Sequence, residues 1–441
     1  MSKSLIRAGQ FAQVARQAAL IGVALVLPRL GIGREVIGQW ESLLFLGYII
    51  SFGWLTGLLQ GYLLNVRLTR PAEAQQFSRL AIGGVAGFSA LLLLVAAALH
   101  EPLFRLLRLG EAPPGWGYFF LFLLAQWPGL FFEQVLVVRG KASALAVFSG
   151  LSALGLALSI LVPLYYGANL VQALLVLAVF SGGKGFVLLL WWLRDAWQQQ
   201  QIPQQQPGRL EKHDPGLLKS WLTTSYSLIL YASAGTLVTA FDPWFVNYWY
   251  AGDEAIFAIF RYGARELPLL AAVVNGTMVV VLPRLTEDIS AGLDLLKSSS
   301  RRLFHWVFSG AILLMLSSPW WWTIVFTEVF ADSLPLFRVY LFLVVSRLLF
   351  PMPVVLAFGF TRRLYLFSLS ELVSNIILSL ILVPFMGLMG VVVSTVIADI
   401  LNKVVLIVYL KIKAEISLSR YVDVRTFAVY SLLLMVAYVL F

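Results

Sequence analysis

The sequence predicts an all-α, polytopic membrane protein made of two parallel six-helix bundles plus a short C-terminal hydrophobic segment. Three observations predict it. Of 441 residues, 60% are hydrophobic and only 12% charged, whereas a soluble domain carries roughly 25% charge. The apolar residues fall into long runs, most of them close to the roughly 20 residues that cross a hydrocarbon layer. A single glutamine- and proline-rich stretch, AWQQQQIPQQQPGRLEKHD at 196–214, cannot build an apolar core and separates six runs from the next six.

In chain order, the first lobe is expected over 1–195, with spans at about 10–28, 38–63, 79–99, 116–138, 142–163 and 168–193. The N-terminal stretch has no small-residue cleavage site after its apolar part, so it reads as a retained first span rather than a signal peptide. After the 196–214 linker, the second lobe is expected over 215–415, with spans at about 217–240, 255–282, 303–327, 334–359, 364–384 and 388–410. Residues 416–441 add one more hydrophobic helix, at about 426–441, short for a full crossing. Gly53, Gly57 and Gly61, at four-residue spacing, read as positions of close helix packing. Prolines 128, 268, 351 and 353 fall inside spans and should bend or break them.

Lysine and arginine in the short loops set the orientation. Arg67, Arg70, Arg79, Arg139, Lys141, Arg194, Arg209, Lys212, Lys219, Arg284, Lys297, Arg301, Arg302, Arg362, Arg363, Lys411 and Lys413 fall on one side. Arg29, Arg34, Arg105 and Arg108 fall on the other, partly offset by Glu35, Glu41, Glu101 and Glu111, and this balance makes the first side, the N-terminus and the linker cytoplasmic. The lobes also echo one another. Pro128 matches Pro351 and Pro163 matches Pro384, at offsets of 221 to 223 residues, as expected for a duplicated bundle whose copies are related by an axis along the membrane normal.

The net charge of +10 is carried mostly by these loops and reads as topology, with no nucleic-acid-binding motif. Without cysteine, disulfides and thiolate metal sites are excluded, and three isolated histidines do not suggest a metal site. GKASALA at 140–146 lacks the upstream glycine and the Ser/Thr after lysine of a phosphate loop, and no HExxH or GxSxG occurs. A non-enzymatic protein without a cofactor is expected.

Charged residues inside spans are the strongest functional signal, because an ion in hydrocarbon is costly and usually has a purpose. Arg261 and Arg265 are one helical turn apart and are expected on one face of the 255–282 span, with Arg265 about 15 Å deep. Arg347, Arg16 and Lys184, the last within SGGKGF, extend the positive surface. Guanidinium stays protonated and its fork matches phosphate oxygens, so this set suits a large anion. The buried acids are Glu133, Asp242, Glu266, Glu371 and Asp399. Glu133 is expected to pair with Arg139 or Lys141, Glu266 with a neighbouring arginine, and Asp399 with Lys403 at i,i+4. Asn375 is placed to share a face with Glu371. Asp242, Glu266, Glu371 and Asp399 are the candidates for coupling to an ion gradient or for structural ion pairs.

Four stretches carry a family resemblance: PRLGIGREVIGQW at 28–40, FDPWFVNYWYAGDEAIFAIFRYGARELPL at 241–269, VVLPRLTE at 280–287 and VPFMGLMGVVVSTVIAD at 383–399. With them the chain resembles the multidrug/oligosaccharidyl-lipid/polysaccharide exporter superfamily, and within it Wzx-type polysaccharide flippases. The resemblance implies a MATE-like fold and a cationic central cleft. It implies translocation of an undecaprenyl-pyrophosphate-linked oligosaccharide to the outer leaflet of the bacterial inner membrane, by alternating access. It further implies coupling to a sodium or proton gradient, membrane lipid as surroundings, a monomer, and polysaccharide polymerase or glycosyltransferase partners. Two alternatives share the fold. An ion-coupled multidrug exporter would need a free carboxylate and fewer cations in its cavity. Lipid II flippases of the superfamily have two further helices, which the tail half matches.

Overall fold

The computed structural model describes residues 3–66, 71–109, 112–200, 215–265, 270, 277–278, 281–282, 284–358 and 364–440. Among them there is helix and no strand. Among the described residues, ten helices are long and apolar enough to cross a membrane, or eleven if the bent pair Arg34–Ser51 and Gly53–Val66 is counted as one span. The protein is therefore a multi-pass α-helical membrane protein. Its chain divides into two compact units, 1–236 and 237–441.

The first unit holds α1 (Lys3–Val26), α2 (Arg34–Val66), α3 (Pro71–Ala98), the short α4 (His100–Leu107), α5 (Trp116–Val138), α6 (Ala142–Tyr165), α7 (Leu170–Gln200) and the first part of α8 (Pro215–Trp249). Helix α1 packs on α6, and α5 packs on α3, α6 and α7. The glycines of α2 meet α8 directly. A Cβ at Gly57 would stand 2.5 Å from the Ile229 backbone nitrogen, and one at Gly53 3.3 Å from the Ser233 Cα. Only a residue without a side chain allows this approach, and the crossing is tied by Trp221 Nε1 donating to the Leu58 carbonyl (3.1 Å) and Ser220 Oγ to Asn65 Oδ1 (2.8 Å). We predict that Gly57→Val lowers stability by about 1–3 kcal/mol through overpacking. Thermal unfolding in detergent would measure this, and an unchanged midpoint would contradict the contact.

The second unit begins in α8 and continues through α9 (Glu254–Gly263), α10 (Ile289–Leu303), a π-helical turn at Phe304–Phe308, α11 (Ser309–Phe326), a 3-10 turn at Glu328–Ser333, α12 (Leu334–Tyr340), α13 (Leu343–Arg347) and α14 (Pro351–Ala357). A hairpin follows, α15 (Leu364–Met386) and α16 (Leu388–Lys413), turned at Gly387 with φ +58°. The chain ends with α17 (Leu418–Tyr421) and α18 (Val424–Val439). Helix α18 covers 16 residues, about 24 Å at 1.5 Å per residue, less than the roughly 30 Å hydrocarbon core. It is fastened to the π turn: Tyr430 stacks on Phe308 with ring centres 5.7 Å apart, and the Tyr430 hydroxyl lies 2.9 Å from His305 Nδ1.

Two expected spans are not continuous helices. The one expected over 255–282 leaves helical geometry after Gly263, with Ala264 at φ −86°, ψ 39°. Gly263 lies so close to α12 that a Cβ there would come within 2.5 Å of Leu336 Cβ and 2.7 Å of the Ser333 carbonyl oxygen. The one expected over 334–359 is broken into α12, α13 and α14. Pro351 cannot donate to the carbonyl of Arg347 and drives Phe350 out of the helical region, to φ −113°, ψ 54°. Pro268 lies outside the described residues.

Candidate functional site

The helix breaks assemble a polar pocket of about 220 Å³ within the second unit. Arg261 reaches it from the last turn of α9 and Arg265 from just beyond that helix. Arg347 reaches it as the final residue of α13, Asp242 from α8, Glu371 and Asn375 from α15, and Thr395 and Asp399 from α16. Arg261 and Arg265 thus share the pocket, but not the helical face expected of them, because the helix ends between them.

An aromatic stack positions Arg265. Its guanidinium lies 5.5 Å from the centre of the Tyr262 ring. Tyr262 in turn stacks on Phe330, with ring centres 4.0 Å apart and planes 12° off parallel. Both rings are buried, so this arginine rests on a rigid platform, which favours it through the ring quadrupole.

Three carboxylates face the same space with different partners. Asp242 accepts from Asn375 Nδ2 at 2.7 Å and from Thr395 Oγ1 at 2.6 Å. Both donors are neutral, so a buried carboxylate beside Pro243 has no cationic partner among the described residues. Asp399 is held by Lys403 Nζ at 3.2 Å, by the Ser346 hydroxyl, and by Arg347 Nε at 3.7 Å. The expected i,i+4 pair with Lys403 is present, and Arg347 joins it. Glu371 accepts from Asn402 Nδ2. Asn375, placed beside Glu371 on spacing, points its amide at Asp242 instead. Glu266 lies outside the described residues.

The pocket lining therefore carries three arginines and three acids, rather than a surplus of cations. The sequence had suggested a surplus because it could not show that the acids of α15 and α16 converge on one place. Thr395 and Tyr340 also line the pocket and were not singled out. Thr395 was discoverable: it is one helical turn before Asp399, on its face of α16.

Arg16 and Lys184 line a different and much smaller cavity, of about 20 Å³, within the first unit. Arg16 Nη2 donates to Glu133 Oε2 at 2.7 Å, and Lys184 Nζ donates to Gln126 Oε1. Glu133 was expected to meet Arg139 or Lys141. Arg139 instead makes a two-pronged bond to Asp195, at 2.7 and 3.1 Å, and lies over Trp191. The reason is tertiary packing. Helix α1 packs on α6, which also packs on α5, and this brings Arg16 to Glu133 across 117 residues of chain. Replacing Glu133 by Gln leaves the half-buried Arg16 guanidinium without its carboxylate, so we predict a clear loss of folded protein, and restoration when Arg16→Gln is added. Fluorescence-detected size exclusion reads both, and a Glu133→Gln variant as abundant as the parent contradicts the pairing.

No protein-family model matches the chain, and no curated protein does. Solved structures share its fold. The lipid II flippase MurJ, in an inward closed conformation, aligns over 98% of this chain and 92% of its own, at 16% identity and a TM-score of 0.66. An inward-facing multidrug resistance MATE family transporter of the MOP superfamily aligns over 90% and 94%, at 16% identity and 0.61. The MATE multidrug transporter DinF-BH aligns over 94% and 96%, at 16% identity and 0.57. Fold and site together define a polytopic membrane protein of MATE-like architecture with a charged intramembrane pocket. Among these neighbours, the lipid flippase superposes over nearly the whole chain.

Proposed function

We propose that this protein is a flippase that moves an undecaprenyl-pyrophosphate-linked oligosaccharide to the outer leaflet of the bacterial inner membrane, by alternating access and driven by an ion gradient. The convergence of Arg261, Arg265 and Arg347 on one intramembrane pocket carries this reading. A diphosphate cannot enter hydrocarbon unescorted, and guanidinium groups offset its lost hydration while matching its oxygens. A lipid II flippase shares this fold, as multidrug MATE transporters do, so the fold is compatible with a lipid-linked substrate. Asp242, which accepts from neutral donors alone among the described residues, is the proposed site for a coupling cation, sodium or a proton. The carboxylates keep the arginines from binding substrate irreversibly, since an anion must compete with Asp399 for Arg347.

Asp242 also favours the second reading, an ion-coupled multidrug exporter, because a carboxylate without a cationic partner can bind a cationic substrate. Proteoliposomes separate the two. Purified protein should move a fluorescent pyrophosphate-linked oligosaccharide lipid between leaflets, and should not concentrate a cationic dye. The reverse result establishes the exporter.

In this reading the N-terminus and the 196–214 linker are cytoplasmic, and Arg16 and Lys184 support the first lobe's part of the substrate path. A cysteine placed at Gln204 of this cysteine-free chain should resist a membrane-impermeant maleimide in intact cells and react in inverted vesicles. Labelling of intact cells reverses the topology.

A further inference from the structure

A cavity larger than the charged pocket lies elsewhere in the fold. It is an apolar groove of about 540 Å³ on the first unit, formed by α3, α5 and α7. Its floor is made by small residues, Gly83, Gly182 and Gly185 among them, and its rims by Leu121, Leu124 and Leu189, all exposed in the folded chain. Along α7 it runs from Ala178 to Trp192, about 20 Å at 1.5 Å per residue. That is longer than one leaflet of a roughly 30 Å hydrocarbon core. The wall is apolar apart from Ser181 and the indole of Trp192, whose nitrogen already donates to the Arg79 carbonyl at 3.1 Å.

Arg79 gives the groove a direction. It precedes Ile82 and Gly83, which line the groove, by three and four residues, so it stands on their face of α3, one turn beyond the end marked by Trp192. It is half-buried and makes no ion pair among the described residues. An apolar slot in a membrane span that ends at an unpaired guanidinium matches an amphiphile with one long hydrocarbon chain and an anionic phosphate head.

We propose that this groove binds one acyl chain of an anionic phospholipid, with the headgroup phosphate at Arg79. The proposal does not depend on the substrate assigned above. The space needed is open. A Cβ at Gly182 meets nothing within 4 Å, and one at Gly185 meets only Ala125 Cβ at 3.4 Å. Leucine at both positions fills the slot while leaving the backbone undisturbed.

Native mass spectrometry of the detergent-purified full chain with added phosphatidylglycerol or phosphatidylcholine tests this. The parent should retain phosphatidylglycerol at least three-fold more than phosphatidylcholine. Arg79→Gln should bring that ratio near one, and the Gly182→Leu/Gly185→Leu pair should lose most retention of both. Equal retention by the parent, or an unchanged ratio in Arg79→Gln, overturns the headgroup site, and undiminished binding in the leucine pair overturns the groove. Should the leucine pair misfold, phosphatidylglycerol carrying a diazirine on its acyl chain is applied to the parent. Labelling concentrated on α3, α5 and α7 supports the groove, and labelling spread evenly over exposed leucines of the other helices rejects it.

Discussion

Arg265→Ala should stop translocation while the protein still inserts and folds. The side chain sits at the end of α9, over the Tyr262–Phe330 stack. Removing it leaves the stack intact but deletes the charge held above it. A hydrogen bond to an ionised group contributes about 1.5–3 kcal/mol, so losing a two-pronged contact to a diphosphate reduces substrate affinity by at least about 100-fold. Arg265→Lys keeps the charge but not the planar fork and should recover only a fraction of the rate. The measurement is leaflet exchange in proteoliposomes at matched protein content, with size exclusion as the folding control. Normal exchange by Arg265→Ala removes the diphosphate from this pocket. Disappearance of the protein from the membrane shows instead that the arginine holds the fold. Inactivity reversed by adding Glu371→Gln shows that balanced pocket charge, rather than phosphate recognition, was needed.

Asp242→Asn should uncouple transport from the ion gradient. The carboxylate accepts from Asn375 and Thr395. An amide in its place still accepts at its one oxygen, but sets its NH2 against one of the two present donors and offers no negative charge to a cation. In liposomes with an imposed sodium or proton gradient, parent exchange should accelerate several-fold and the variant's should not. Glu371→Gln is the comparison, since Glu371 lines the same pocket and is bonded to Asn402. If Asp242→Asn still responds and Glu371→Gln does not, the coupling site is Glu371.

Much of this molecule is legible from local chemistry. A helix in hydrocarbon must satisfy its own backbone, so composition and run length alone mark the spans, and α5, α6 and α16 lie within a few residues of their expected bounds. The Asp399–Lys403 pair is legible for the same reason, because i,i+4 neighbours meet whatever surrounds them. So is the close approach at Gly53, Gly57 and Gly61, whose four-residue spacing lines one face.

Composition and run length therefore establish the class: an all-helical, multi-pass membrane protein whose buried charges are too costly to be accidental. Which of those charges meet depends on the packing of the helices. It gathered Arg261, Arg265 and Arg347 on one pocket, gave Glu133 to Arg16 and Arg139 to Asp195, and left Asp242 with neutral partners among the described residues. It also ended α9 at Gly263 and split the helix around Arg347. Spans are set by the partition of each segment into hydrocarbon, which needs no knowledge of the rest of the chain. Ion pairs and helix breaks depend on which helices pack together, through contacts between residues more than a hundred positions apart, and no local pattern encodes that.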